Sequence, residues 1–140
     1  MKALSIRQPW AYFILTGQKP IENRTWSTNY RGPLVIHAGL RPAKNYNEVL
    51  APTARALNSP ALFLEAAAGA SPECTLTTAC RRGYLLGIVD LVAVCEESTS
   101  PWFQGPYGWV VVNPRLIEPI PYKGRLGLFD VPDALLEGVL

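Results

Sequence analysis

Tyr84-Leu85-Leu86-Gly87-Ile88-Val89-Asp90-Leu91-Val92-Ala93-Val94 is the stretch on which the fold turns. It is long, apolar and rich in β-branched residues, so it reads as a strand buried for most of its length. Moving outward from it, Gly108 to Val112 is a second β-prone run, and Leu126 to Val131 a third, ahead of a short terminal helix at Asp133 to Glu137. Toward the N-terminus, the turn Arg31-Gly32-Pro33 leads into Leu34-Val35-Ile36-His37-Ala38, and Ala3 to Ile6 supplies an opening strand. Between these, Gln8-Pro9-Trp10 starts a helix with proline at its first position, where the missing N–H costs little. Trp10, Phe13 and Ile14 share one face of that helix, and Gly17 ends it. Lys19 to Trp26 alternates only loosely. Strands outnumber helices and no internal repeat divides the chain, so the predicted class is α+β: a mostly antiparallel sheet, closed or half-closed into a small barrel, with peripheral helices.

The 140 residues fit one domain spanning 1–140, which buries about two-thirds of its unfolded surface without disulfide staples. Hydrophobic residues at 49% and charged residues at 17% exclude a disordered chain, and thirteen prolines favour strands and loops over long helices. No apolar run approaches the roughly 20 residues that cross a bilayer, and Arg7 arrives too early for a signal-peptide core. The expectation is a cytoplasmic protein without a membrane partner. Cys74, Cys80 and Cys95 are an odd number without C-x-x-C spacing, which suits free thiols. A zinc site from these three and His37 lacks the tight paired spacing of structural zinc, so neither metal nor cofactor is expected. Lys44 to Ala68 carries helical spacing broken by Pro52 and Pro60, and Gly69 to Thr78 has the composition of a surface loop. Residues 44–82 therefore read as a helical and loop insertion.

Charge is distributed unevenly. Through residue 44, Lys2, Arg7, Lys19, Arg24, Arg31, Arg41 and Lys44 face Glu22 alone, a local net charge of +6 in a chain whose total is +2. The basic block falls on strand edges and loops, where it suits contact with phosphate.

The string Leu4-Ser5-Ile6-x-Gln8-Pro9-Trp10-Ala11, followed by Gly17-x-Lys19-x-x-Glu22-x-Arg24-x-Trp26, resembles the N-terminal signature of the ASCH family, a branch of the PUA-like β-barrels. Tyr30-Arg31-Gly32-Pro33 before a strand ending His37-Ala38, then Gly87-Ile88-Val89-Asp90-Leu91, Tyr107-Gly108-Trp109 and Pro119 to Leu128, are similar to its later blocks in the same order. The resemblance implies a PUA-like barrel with a cleft beside the first helix, associated with RNA binding, with transcription coactivators and, in some members, with hydrolysis. Some small ASCH proteins remove an acetyl group from N4-acetylcytidine with a lysine, a threonine three residues later and a distant glutamate. Here Lys19 is retained but Glu22 stands where the threonine would be, and Thr25 and Thr28 are out of register. A carboxylate does not replace a hydroxyl nucleophile, so that mechanism does not carry over.

On their own chemistry, Lys19, Glu22, Arg24 and Trp26 suit a nucleotide. Arg24 can fork onto phosphate or a base edge, Lys19 adds a mobile charge, Glu22 accepts from an exocyclic amine, and Trp26 offers a stacking face. The competing reading is a structural ion-pair cluster beside a packed indole. Gln8 can project into the cleft, Arg7 and Arg31 can grip phosphate, and Tyr107 can form the opposite wall. Trp10 and Trp109 are assigned to packing, and His37 to a satisfied core or rim position, since no serine or cysteine nucleophile adjoins it in sequence. Asp90 interrupts an apolar strand, so it faces solvent, pairs with a cation or lines a cavity. The expected function is binding of RNA or a nucleobase. The alternatives are a hydrolase acting on RNA or a modified nucleoside, with Lys19 as base and Glu22 activating water or holding the amine, and a protein-interaction module of a transcription or RNA-processing complex.

Overall fold

The computed structural model describes residues 1–44 and 81–138. Alternating apolar residues set the strands β1 (Lys2–Ile6), β2 (Ile21–Arg24), β3 (Gly32–Ala38), β4 (Tyr84–Cys95), β5 (Tyr107–Pro121) and β6 (Leu128–Asp130). One helix, α1 (Trp10–Leu15), follows β1, and a single 3-10 turn, Asp133–Leu136, follows β6. The six strands form one sheet in the order β2-β5-β4-β3-β1-β6. Only β1 and β3 pair in parallel; every other ladder is antiparallel. The mostly antiparallel α+β class expected from the sequence is therefore what the described residues form. Among them no helix is long and apolar enough to cross a membrane.

Both faces of the sheet are covered. On one, Leu4, Ile6, Leu34, Ile36, Leu86, Val89 and Trp109 pack with Ala11, Ile14 and Leu15 of α1. On the other, Ala3, Val35, Leu85, Ile88 and Phe129 pack with Val131 and with Leu136 of the 3-10 turn. Leu86 and Ile88 lie two residues apart yet join opposite faces, which a regular strand does not allow. The register irregularity between Leu85 and Gly87 accounts for the inversion. Gly87 also marks the close approach of α1: a Cβ there would stand 2.5 Å from Leu15 Cδ2 and 2.6 Å from the Arg115 carbonyl.

The structure differs from the sequence expectation at three places. Pro9 stands just before α1 and not within its first turn, while Gly17 takes the expected left-handed conformation at φ +80°. The run expected at Gly108 to Val112 continues to Pro121, because Asn113 adopts φ 53° at a register irregularity and lets the strand resume across Pro114. The C-terminal helix is one 3-10 turn. The helical spacing of Lys44 to Ala68, the loop at Gly69 to Thr78, and Cys74 and Cys80 lie outside the described residues, Lys44 excepted.

The sheet curls strongly. β2 and β1 are separated by β5, β4 and β3, about 19 Å apart in a flat sheet at ordinary strand spacing. Yet Arg24 Nη2, at the end of β2, donates to the Ser5 carbonyl of β1 at 2.7 Å. The sheet must bend round on itself for that bond to form, which makes it half a barrel.

Candidate functional site

A cavity of about 1180 Å³ lies against the curled sheet, lined by residues of β1, β2 and β3 and of the segments after β3 and β5. Part of its lining comes from β2 and the segment between α1 and β2. α1 ends at Gly17, and the backbone N–H groups of Gln18 and Lys19 both donate to the Phe13 carbonyl, which turns the chain back toward β2. Lys19, 4% exposed, then donates through Nζ to the Ile21 carbonyl and, at 3.1 Å, to Glu22 Oε1. The other carboxylate oxygen accepts from Arg24 Nη2 at 3.0 Å. Two cations thus share one carboxylate with a net charge of +1. Both oxygens of Glu22 keep a free lone pair for a further donor. Arg24 Nε is buried and donates to no acceptor among the described residues.

Lys19, Glu22 and Arg24 all line the cavity, as does Arg7 at its rim. The three side chains pair with each other and also line the cavity, so ion pairing and a position at a cleft are compatible in this geometry. The other four residues expected from the sequence to contact a ligand, Gln8, Trp26, Tyr107 and Arg31, lie elsewhere. Gln8 is fully buried, where its Oε1 accepts the Tyr12 N–H and its Nε2 donates to the Arg81 carbonyl, so it braces the start of α1 and does not project into the cleft. Trp26 packs edge-on against buried Trp109, with ring centroids 4.8 Å apart, and its carbonyl accepts the Trp109 indole N–H. Tyr107 packs against the same core, and Arg31 folds back onto the Thr28 and Tyr30 carbonyls. None of these four lines the cavity.

The aromatic wall is formed instead by Trp10 and Trp102, with ring centroids 6.3 Å apart. The apolar helical spacing of Trp10 pointed to packing, and its partial burial satisfies both roles: one edge meets Phe13 while Lys19 Nζ lies 5.6 Å from its ring centroid. Trp102 is held by Asn23 of β2. Asn23 Nδ2 donates to the Trp102 carbonyl at 2.9 Å, and its Oδ1 accepts the N–H of Gln104 and Gly105. Nothing local in sequence signals this clamp, because its partners are some eighty positions apart.

The lining also includes Lys123, Gly124, Arg125 and Leu126 from the segment after β5, and Leu40 and Arg41 from the segment after β3. Six cations, Arg7, Lys19, Arg24, Arg41, Lys123 and Arg125, and one acid, Glu22, are therefore the charged groups lining the cavity. Two of the six come from the part of the chain that is acidic on balance, so the charge skew of the sequence understates the cationic character of the site. His37 lines the cavity too. Its Nδ1 lies 2.8 Å from Ser5 Oγ and its Nε2 2.7 Å from the Tyr122 carbonyl. Burial pushes the imidazole below its ordinary value of 6.5, against the raising effect of the Tyr122 carbonyl.

Asp90 lies apart from the cavity. It pairs with Asn113 at 3.1 Å and Arg115 at 3.2 Å across the β4–β5 irregularity, and first the Asn113 bond, then Arg115, hold its carboxyl below the usual range. Among the described residues, no group of three or more His, Cys, Asp or Glu could hold a metal ion.

The sequence profile described as the ASCH domain matches residues 4–121. Among curated proteins, the chain is 34% identical over 145 residues to activating signal cointegrator 1 of Mus musculus. It is 26% identical over 145 residues to activating signal cointegrator 1 of Homo sapiens. Each alignment covers 96% of this chain and 23% of the relative, so the chain spans less than a quarter of the length of the curated relatives it matches.

Proposed function

As the chain belongs to the ASCH domain family, we propose that it is an RNA-binding domain whose half-barrel is of the PUA-like kind and whose cavity takes one unstacked base of a single strand. The observation that carries this reading is a cavity in which six cations and two indoles meet a single carboxylate. The exposed cations Arg7, Arg41, Lys123 and Arg125 at the mouth supply phosphate contacts. Trp10 or Trp102 supplies a stacking face, and Glu22, held from behind by Lys19 and Arg24, presents a fixed acceptor to an exocyclic amine.

Fluorescence anisotropy with a labelled single-stranded RNA over a range of salt concentrations tests it. Arg7→Glu and Arg125→Glu are expected to weaken binding and each to lower the slope of log affinity against log salt by about 0.7. Trp10→Ala should cost about 1–3 kcal/mol of binding if that ring carries the stack. Unchanged affinity and slope in both charge variants would remove the reading.

Hydrolysis by a Lys19 base and Glu22 has less support, since Lys19 Nζ is committed to Glu22 and to the Ile21 carbonyl. The name of the relatives describes a signal cointegrator, which favours a protein partner as a second ligand class, engaged within the longer architecture those proteins have.

A further inference from the structure

A serine and a histidine that are distant in sequence meet inside the cavity in the geometry of a nucleophile and its base. Ser5 on β1 and His37 on β3 are register partners in the parallel ladder, so their side chains emerge on the same side of the sheet. Ser5 Oγ lies 2.8 Å from His37 Nδ1. The Tyr122 carbonyl, 2.7 Å from Nε2, can only accept, so Nε2 carries the ring proton. In the neutral ring Nδ1 is then a bare acceptor, and the bond to Ser5 runs from hydroxyl to imidazole. Burial favours that neutral form. The carbonyl thus fixes tautomer and ring orientation as the third member of a hydrolytic triad does.

Two further features fit chemistry at this hydroxyl. Ser5 is partly exposed and lines the cavity, and the loop passing over it does so at Gly124, where a Cβ would stand 2.4 Å from Ser5 Oγ and 2.8 Å from His37 Nδ1. Any larger residue would crowd the hydroxyl. Arg24, whose Nη2 donates to the Ser5 backbone carbonyl, lines the same cavity and adds a positive charge to it. Charge of that sign favours an oxyanion developing there.

We infer that Ser5 is an acyl-transfer nucleophile with His37 as its general base, and that the cavity hydrolyses carboxylic esters bearing a negative charge. Ser5 Oγ bonds to the ester carbonyl carbon while its proton passes to His37 Nδ1, and the carbonyl electron pair moves onto oxygen. Collapse expels the alcohol, which takes the proton from Nδ1 and leaves an acyl-Ser5. Water, deprotonated by the same nitrogen, then releases the carboxylic acid and restores the hydroxyl. Esters fit better than amides because an alkoxide leaves with less acid assistance than an amine. The inference uses neither Lys19 nor Glu22 as a reacting group, and it stands whether or not RNA is the ligand of the cavity.

The test is incubation of the full chain with a fluorophosphonate probe, followed by intact-mass measurement and peptide mapping. One adduct on Ser5 is expected, absent in Ser5→Ala and formed about 10²-fold more slowly in His37→Gln, the lower range for loss of a general base. Ser5→Cys, which keeps a nucleophile in place, should be alkylated by iodoacetamide faster than Cys95. Turnover of the anionic 4-nitrophenyl succinate monoester should exceed that of neutral 4-nitrophenyl acetate by about tenfold. A wild-type chain that forms no Ser5 adduct, or a labelling rate indifferent to His37→Gln, overturns the assignment. Equal turnover of the two esters overturns its substrate class. RNA anisotropy on the same preparation reports separately on the binding proposal.

Discussion

Glu22 holds two cations in a setting that is nearly dry, and that position makes its removal costly out of proportion to one lost contact. With Lys19 at 4% and Glu22 at 8% exposure, solvent does little to screen the pair. Taking away the carboxylate leaves two adjacent positive charges without compensation. Glu22→Ala is expected to destabilise the fold by about 3–5 kcal/mol in chemical denaturation. Lys19→Met should cost less, because the carboxylate keeps Arg24. A smaller loss in Glu22→Ala than in Lys19→Met would mean that the cluster is more hydrated than its burial shows. An arrangement this expensive to dehydrate is a poor way to gain stability, which favours a role in holding a ligand.

At the scale of elements, β2 supports more of the site than its four residues suggest. Glu22 and Arg24 point into the cavity, while Asn23 reaches the segment that presents Trp102 and Gln104. Asn23→Ala removes three hydrogen bonds from that segment and should loosen one aromatic wall while leaving the sheet intact. The expected readout is a weaker RNA complex by roughly tenfold, with a far-UV spectrum unchanged and faster amide exchange at Gln104 and Gly105. Of the strands, β4 and β3 were the most plainly legible from their apolar runs, whereas β2, which carries Glu22 and Arg24, lies in a stretch that alternates only loosely. The extension of β5 past Asn113 was not legible, because Asn113 and Pro114 read as a break and only the β4 partner makes the irregular strand continue. The same limit applies to side chains. Lys19, Glu22 and Arg24 were readable because they are neighbours in the chain. Trp102, Lys123 and Arg125 were not, since they reach the cavity from distant segments, and the Ser5–His37 pair was not, since only the parallel β1–β3 ladder brings it together. Trp26 and Tyr107 carried the right chemistry for a stacking wall, but Trp26 packs edge-on against Trp109 and Tyr107 packs against the core.

Across the whole molecule, stability and site are linked through His37, which ties β3 to β1 and to the segment after β5. Since burial lowers its folded-state pKa, the unfolded chain takes up a proton more readily, so stability is full above the ordinary imidazole value of 6.5 and falls as pH drops through 6.5 toward the folded value. His37→Gln lacks this term. The difference in melting temperature between wild type and His37→Gln should therefore narrow from pH 7.5 to pH 5.5, as scanning calorimetry would show; a constant difference would contradict it. Asp90 acts in a separate window, because its depressed pKa contributes stability that disappears only below 3.8. The bond from Arg24 to Ser5 has a consequence of its own. A cylinder laced along its length by backbone ladders is entered only through its ends, and the substrate must be short or offer a terminus. Here the flank between β2 and β1 is spanned by a guanidinium and, among the described residues, no ladder joins the two strands, so under the proposed function a continuous polymer would lie alongside and tuck in an internal unit without being cut or threaded.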